Sequence, residues 1–133
     1  MKRFLLDTDI LIDFLKGHKA AVQFFERLET PNTLAISAIT VAELSAGVRN
    51  KKELEEIKGF IRAFESISVS YDVAIAAGEL KNQYFKSHGL GLADAVIAAT
   101  CSIHQFELCT LNVKHYPMLK NLKPAYKKST SAG

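Results

Sequence analysis

Short apolar stretches alternate with longer amphipathic patterns along this 133-residue chain. The short stretches are typical of buried strands, and the longer patterns place apolar residues at the three- and four-residue spacing of a helix. Strands that alternate with helices predict a mostly parallel sheet covered by helices on both faces. The predicted strands are residues 3–7, 33–37, 66–70 and 106–110, with a fifth strand at the sheet edge at 120–123.

Helices are predicted between these strands. In the first helix Ile10, Leu11, Phe14 and Leu15 share one face, and Gly17 is expected to end it. The others are predicted at residues 19–28, 38–48, 51–64, 72–87 and 92–104.

The length is that of a single domain, which we place at residues 1–126, followed by a disordered basic tail at 127–133. The net charge is only +3, but no acidic residue follows Glu107, whereas five lysines do. Such a basic end either contacts phosphate groups through sequence-independent attraction or is simply solvated.

The sequence also indicates where this protein resides. No apolar run approaches the ~20 residues of a membrane span, so no membrane association is expected. Asp7, Asp9 and Asp13 interrupt the apolar opening, so we expect no secretion signal and a cytoplasmic protein. Cys101 and Cys109 lack the spacing of a zinc site, and we expect both to be reduced and buried.

Four polar residues are predicted to meet at the carboxyl edge of the sheet, where parallel α/β sheets bind ligands. Asp7 ends the first predicted strand, and Glu43 lies early in the helix that leaves the second. Asp94 lies in the first turn of a helix that runs back toward the start of the fourth strand, and Asn112 follows that strand.

Each acid also has a local structural explanation. Asp7 or Asp9 could cap the first helix. Thr40 and Glu43 match the spacing of a capping box, and the macrodipole of its helix favours Asp94. Together, however, three close carboxylates repel one another by on the order of a kcal/mol or more per pair.

A hard divalent cation usually neutralises such a cluster. Mg²⁺ or Mn²⁺ prefers oxygen ligands, and Mg²⁺ keeps several waters in its shell. A cation bound in this way lowers the pKa of a bound water and stabilises charge on a phosphoryl oxygen. The cluster therefore predicts metal-dependent cleavage of phosphodiester bonds.

Four segments of the chain resemble, in order, the motifs of PIN-domain nucleases. They are residues 5–11 (LLDTDIL), 37–44 (SAITVAEL), 92–99 (LADAVIAA) and 110–116 (TLNVKHY). Their order and spacing are similar to those of the VapC-like toxins of toxin–antitoxin pairs, and the match covers residues 3–116.

This resemblance implies a three-layer α/β/α sandwich around a sheet of four to five strands and a Mg²⁺- or Mn²⁺-dependent endoribonuclease. It implies that Asp7, Glu43 and Asp94 form the metal site. It further implies an RNA substrate, a homodimer and a small antitoxin whose C-terminal segment occupies the active-site groove.

The chain departs from the family pattern at two places. Many members have Asn where this chain has Asp9, and we expect the extra acid to cap the first helix. Many also carry a fourth acid near the positions of Asn112 and His115. An amide can hold a water or a metal-bound ligand but adds no charge, which argues against a tightly held second metal.

We assign roles on this basis. Asp7 and Asp94 are the leading metal ligands, and Glu43 ligates directly or holds a water. The hydroxyls of Thr8 and Thr110 orient the carboxylates. Two further residues complete the predicted site: Asn112 belongs to the catalytic set, and His115 contacts a phosphate or acts as a general acid.

Two alternatives remain open from the residues. A PIN-like scaffold with Asn112 in the fourth motif could bind RNA or protein without cutting. The Asp7-Thr8-Asp9 sequence after an apolar strand also resembles the DxD of haloacid-dehalogenase-type phosphatases, although no acidic pair follows Asp94.

Overall fold

A computed structural model describes residues 2–28 and 31–127. The strands are β1 (Arg3–Leu6), β2 (Thr33–Ser37), β3 (Glu65–Ile67) and β4 (Glu107–Cys109). The helices are α1 (Thr8–Leu15), α2 (Lys19–Leu28), α3 (Ala38–Ala46), α4 (Lys51–Ile61), α5 (Tyr71–His88) and α6 (Leu92–His104). A short 3-10 turn, Val113–His115, follows β4.

The four strands form one parallel sheet in the order β3-β2-β1-β4. This confirms the predicted parallel sheet. The strand β1 lies between β2 and β4, so the strand order reverses between β1 and β4. Open α/β sheets bind ligands at such a switch point, outside the carboxyl ends of the strands.

Alternate residues of the central strands face opposite layers of helices. Leu5 and Leu108 pack on one side with Ile97 of α6. Leu6 packs on the other side with Ile10 of α1. The chain is therefore the expected three-layer α/β/α sandwich.

Small side chains let α6 pack closely inside its layer. Its residues from Ala95 to Cys101 are all buried, and Ala95 and Ala99 pack with Val73 and Ala77 of α5. The turn between the two helices requires Gly89, whose φ of 67° lies in the left-handed region. This tight turn brings the start of α6, and therefore Asp94, to the carboxyl edge of the sheet.

The predicted bounds of α2, β2 and α6 agree with the structure, but others shift. The strand predicted at 66–70 is shorter and earlier, because Glu65 already pairs with Ala35. The fifth strand predicted at 120–123 is wrong: no strand follows β4 in the described chain, and Asn121 turns the backbone with a φ of 61°.

Other expectations concern the whole chain. Cys101 and Cys109 are buried and unbonded, as predicted, and burial raises the pKa of both thiols to about 12. Within residues 2–28 and 31–127 no helix is long and apolar enough to cross a membrane. Of the predicted basic tail, residues 128–133 lie outside the described residues.

Candidate active site

Asp7 lies where β1 ends and α1 begins. Its backbone N–H donates to the Cys109 carbonyl at 2.9 Å, which fixes it beside the end of β4. Its carboxylate Oδ1 accepts the Thr8 N–H at 2.8 Å, so Asp7 is the N-cap of α1. The side chain is only 4% exposed.

Two hydroxyls donate to the other oxygen of this carboxylate. Thr110 Oγ1 lies 2.7 Å and the Tyr116 hydroxyl 2.9 Å from Asp7 Oδ2. The Asn112 N–H donates to Thr110 Oγ1, which leaves the Thr110 hydroxyl proton for Asp7. Burial nevertheless raises the pKa of Asp7, and the nearby charge of Asp94 adds to the rise.

The same tyrosine reaches Asp94. The Tyr116 hydroxyl lies 3.2 Å from Asp94 Oδ1, so a single oxygen atom joins Asp7 and Asp94. Gly91 is the N-cap of α6, so Asp94 does not cap that helix. Burial and the two carboxylates raise the pKa of Tyr116, and the phenol therefore keeps its proton.

His115 stands on the outer side of Asp94. Its Nδ1 lies 3.3 Å from Asp94 Oδ2, which is an ion-pair contact when the ring is protonated. This Nδ1 atom is buried and has no hydrogen-bond partner among the residues described. His115 is therefore beside the carboxylate that Tyr116 contacts.

Glu43 is connected to the site through Thr8. The Thr8 hydroxyl lies 2.7 Å from Glu43 Oε1 and 3.1 Å from Thr40 Oγ1. The capping-box interpretation of Thr40 and Glu43 is wrong, because Ser37 caps α3 by accepting the Ile39 N–H. Thr40 is fully buried against Thr8 instead.

Asp9 and Asn112 form a separate pair. Asp9 Oδ2 accepts the Leu111 N–H at 3.0 Å and lies 3.3 Å from Asn112 Nδ2. Asp9 therefore fastens the segment after β4 to α1. The N-cap of α1 is Asp7 and not Asp9, although Asp9 Oδ1 does accept the Ile10 N–H of the first turn at 2.7 Å. Burial and the charge of Asp7 raise the pKa of Asp9 to about 6. The pair lines a cleft of about 750 Å³, together with Asp13, Leu111, Pro124, Tyr126 and Lys127.

The structure thus brings the predicted residues together in three connected groups. Asp7 and Asp94 share Tyr116, Glu43 adjoins through Thr8, and Asn112 lies with Asp9. Sequence reasoning missed Tyr116 as a site residue, although it ends the fourth motif. A hydroxyl-bearing aromatic residue at a motif boundary was the available signal.

The donor chemistry of the central pair fits a hard divalent cation. Mg²⁺ is commonly held by one or two carboxylates and several waters, and Asp7 and Asp94 supply two carboxylates at the switch point. In the described parts of the chain, no three His, Cys, Asp or Glu side chains are grouped to hold a metal ion.

Known proteins are similar to this chain over most of its length. The family model described as PIN domain matches residues 4–116. The chain is 37% identical over 123 residues to "Ribonuclease VapC10" of Mycobacterium tuberculosis, covering 92% of each chain. It is 38% identical over 124 residues to "Ribonuclease VapC19" of the same species, covering 92% of this chain and 98% of the relative.

A solved structure is similar over the same span. It is described as a toxin–antitoxin complex from Klebsiella pneumoniae, with a TM-score of 0.76 and 31% sequence identity. The match covers 92% of this chain and 98% of that one.

Proposed function

This chain belongs to the PIN-domain family, and from that premise we propose that it is a metal-dependent endoribonuclease and the toxin of a toxin–antitoxin pair. The relatives named as VapC ribonucleases support this proposal, because they match nearly the full length of the chain. The observation that carries it is the pair of carboxylates, Asp7 and Asp94, joined by one hydroxyl at the switch point of the sheet.

Asp7 and Asp94 would hold a Mg²⁺ or Mn²⁺ ion in this proposal. When bound, the cation supplies charge stabilisation for the phosphoryl oxygens and lowers the pKa of a coordinated water. Asp7 suits this role because its Oδ2 already accepts two hydroxyls, which orient the group. From the residues that the structure describes, Oδ1 accepts only the Thr8 N–H.

The surrounding residues orient the acids and the substrate. Thr8 donates to Glu43 and holds that carboxylate beside the pair, where it can order a water. Thr110 fixes the Asp7 carboxylate. His115 is half-buried at the outer edge of Asp94, where its ring can donate to a phosphate oxygen of the RNA. Asn112, paired with Asp9, borders the cleft in which the RNA substrate would lie.

The antitoxin is proposed to bind a groove whose lining includes Glu43. That groove has a volume of about 510 Å³ and runs between α1, α3 and the start of α4. Ile12 and Leu15 line it and are 39% and 43% exposed, and Arg49 lies at its rim. A partner seated there would cover apolar surface and block Glu43, which links inhibition to the active site.

Cleavage of a mixed RNA pool by the purified chain, free of antitoxin, tests this proposal. Reactions contain Mn²⁺, Mg²⁺ or EDTA, and the variant Asp7→Asn is prepared identically. We expect metal-dependent cleavage that Asp7→Asn reduces by more than about 100-fold, since even groups that only orient metal ligands are worth about 10- to 100-fold. The matched control is Asp72→Asn, an exposed acid in the first turn of α5, which should cleave like the wild type.

The outcomes separate the two remaining functions. Cleavage that persists in EDTA or in Asp7→Asn would contradict the proposed chemistry and point to a contaminating nuclease. Binding of the RNA pool without any cleavage, by folded protein in Mn²⁺, would favour the non-cutting PIN-like scaffold. A phospho-aspartyl intermediate would support the phosphatase, which the family match disfavours.

A further inference from the structure

Tyr116 is a buried residue whose polar hydroxyl has no role in the proposed chemistry. Its side chain is 1% exposed, and its ring packs in the core with Leu5, Ile97 and Leu108. Only its hydroxyl reaches the site, where it contacts both Asp7 and Asp94. The packed ring therefore fixes the position of the hydroxyl oxygen between the two carboxylates.

The hydrogen bonding of this oxygen is unequal. A phenol has one hydrogen, so it can donate to only one carboxylate at a time. The 2.9 Å distance favours Asp7 over the 3.2 Å contact with Asp94. The two carboxylates therefore compete for one hydroxyl proton, and the hydrogen bond to Asp94 Oδ1 is the weaker of the two.

The two carboxylates arrive from distant parts of the chain and repel each other. Asp7 follows β1, whereas Asp94 lies at the start of α6, and no described hydrogen bond joins them directly. Without a spacer, repulsion would favour their separation. A hydroxyl anchored in the core opposes that separation.

We propose that Tyr116 is a positioning residue whose hydroxyl sets the separation of the Asp7 and Asp94 carboxylates, so that the pair binds one divalent cation. This inference rests on the proposed function, because it assumes that the pair holds a metal. It goes further by assigning the spacing of the pair to one atom. Partners of metal-ligating carboxylates typically change metal affinity by about 10- to 100-fold when removed.

A purely structural role would give Tyr116 no special effect on metal binding, and Tyr126 provides the matched control. Tyr126 is 9% exposed, and its hydroxyl donates to Asp13 Oδ2 at 2.6 Å. Replacing either tyrosine with Phe removes one buried hydroxyl from one or more carboxylates. Of these two tyrosines, only Tyr116 contacts the proposed metal pair.

Calorimetric titration with Mn²⁺ of the antitoxin-free protein tests the inference, with melting curves recorded in EDTA. We expect Tyr116→Phe to raise the Kd for Mn²⁺ by about 10- to 100-fold. Tyr126→Phe should bind Mn²⁺ like the wild type, although both variants melt at a lower temperature. Equal Mn²⁺ affinity in Tyr116→Phe and the wild type would overturn the inference and leave the proposed function standing.

A second comparison uses the Asp94→Asn background. With one carboxylate of the pair removed, no spacing remains to be set, so adding Tyr116→Phe should weaken Mn²⁺ binding little further. A full additional loss would contradict the inference, and this comparison remains available if the single Tyr116 variant folds poorly. A wild type that neither binds Mn²⁺ nor cleaves RNA would overturn the proposed function together with the inference.

Discussion

The helix α1 has two sides with opposite energetic character. One side belongs to an aromatic cluster in which Phe14 lies 4.6 Å from Phe25 and 5.6 Å from Phe60, between ring centroids. The other side begins at Asp7, where two buried or half-buried carboxylates share one hydroxyl. The first side stabilises the folded protein because it buries apolar surface. The second side destabilises it, because like charges lie close together in a poorly solvated position.

The difference shows that one short helix can serve both stability and function. Apolar packing around Phe14 and Phe25 fixes the helix, and the fixed helix holds Asp7 and Thr8 at the end of β1. The cost of the buried carboxylates is then offset by the rest of the fold. Substitutions on the two sides should therefore change stability in opposite directions.

The largest effect on stability is expected on the aromatic side. Phe25 is 6% exposed, and Phe25→Ala should lower the free energy of unfolding by about 3–5 kcal/mol, because it removes buried surface and leaves a cavity. Denaturant titration measures this free energy of unfolding. The control is Phe85→Ala, which should change it little because the Phe85 side chain is 53% exposed. The Kd for Mn²⁺ should not move in the fraction that remains folded. A cost for Phe25→Ala as small as that of Phe85→Ala would show that the cluster does not stabilise α1.

A smaller effect of opposite sign is expected on the polar side. In EDTA, Asp94→Asn should stabilise the protein by up to about 1 kcal/mol, because it removes the repulsion with Asp7. Asp72→Asn is the control: Asp72 also lies in the first turn of a helix, so it reports the loss of the favourable macrodipole interaction alone. Melting temperatures measure both.

Saturating Mn²⁺ should reverse the order of Asp94→Asn and the wild type, since a ligand stabilises the form that binds it more tightly. Asp94→Asn could instead melt lower than the wild type in EDTA, by as much as Asp72→Asn does. In that case substitutions on the polar and aromatic sides of α1 would both destabilise the protein, which contradicts the comparison.

A third effect is expected at Asp9, and its size depends on pH. Its pKa in the folded protein is raised to about 6 from an ordinary value of 3.8, so its contribution to stability is fully present below pH 4 and is lost as the pH rises through 6. In EDTA, the melting temperature of Asp9→Asn relative to the wild type should therefore increase between pH 4 and pH 7. A difference that stays constant over this range would show that Asp9 is not perturbed as its burial implies.

Local patterns in the sequence predicted most of the secondary structure. Helical patterns of residues gave the bounds of α2 and α6, and the position of Asp7 at the end of an apolar strand predicted its place at the sheet edge. These features are encoded within a few residues, and neighbouring segments do not change them. The cap of α3 was misassigned because Thr40 is buried against Thr8, a contact between residues 32 positions apart.

The sequence by itself determined the alternation of strands and helices, the motif residues and the family. Only the tertiary structure decided which of the acids meet, because that depends on the register of β1 with β4 and on the path of the chain after Thr110. Tyr116 reaches Asp7 across 109 positions of sequence and Asp94 across 22. No local pattern encodes such contacts, because the position of the Tyr116 hydroxyl depends on how the whole core packs around its ring.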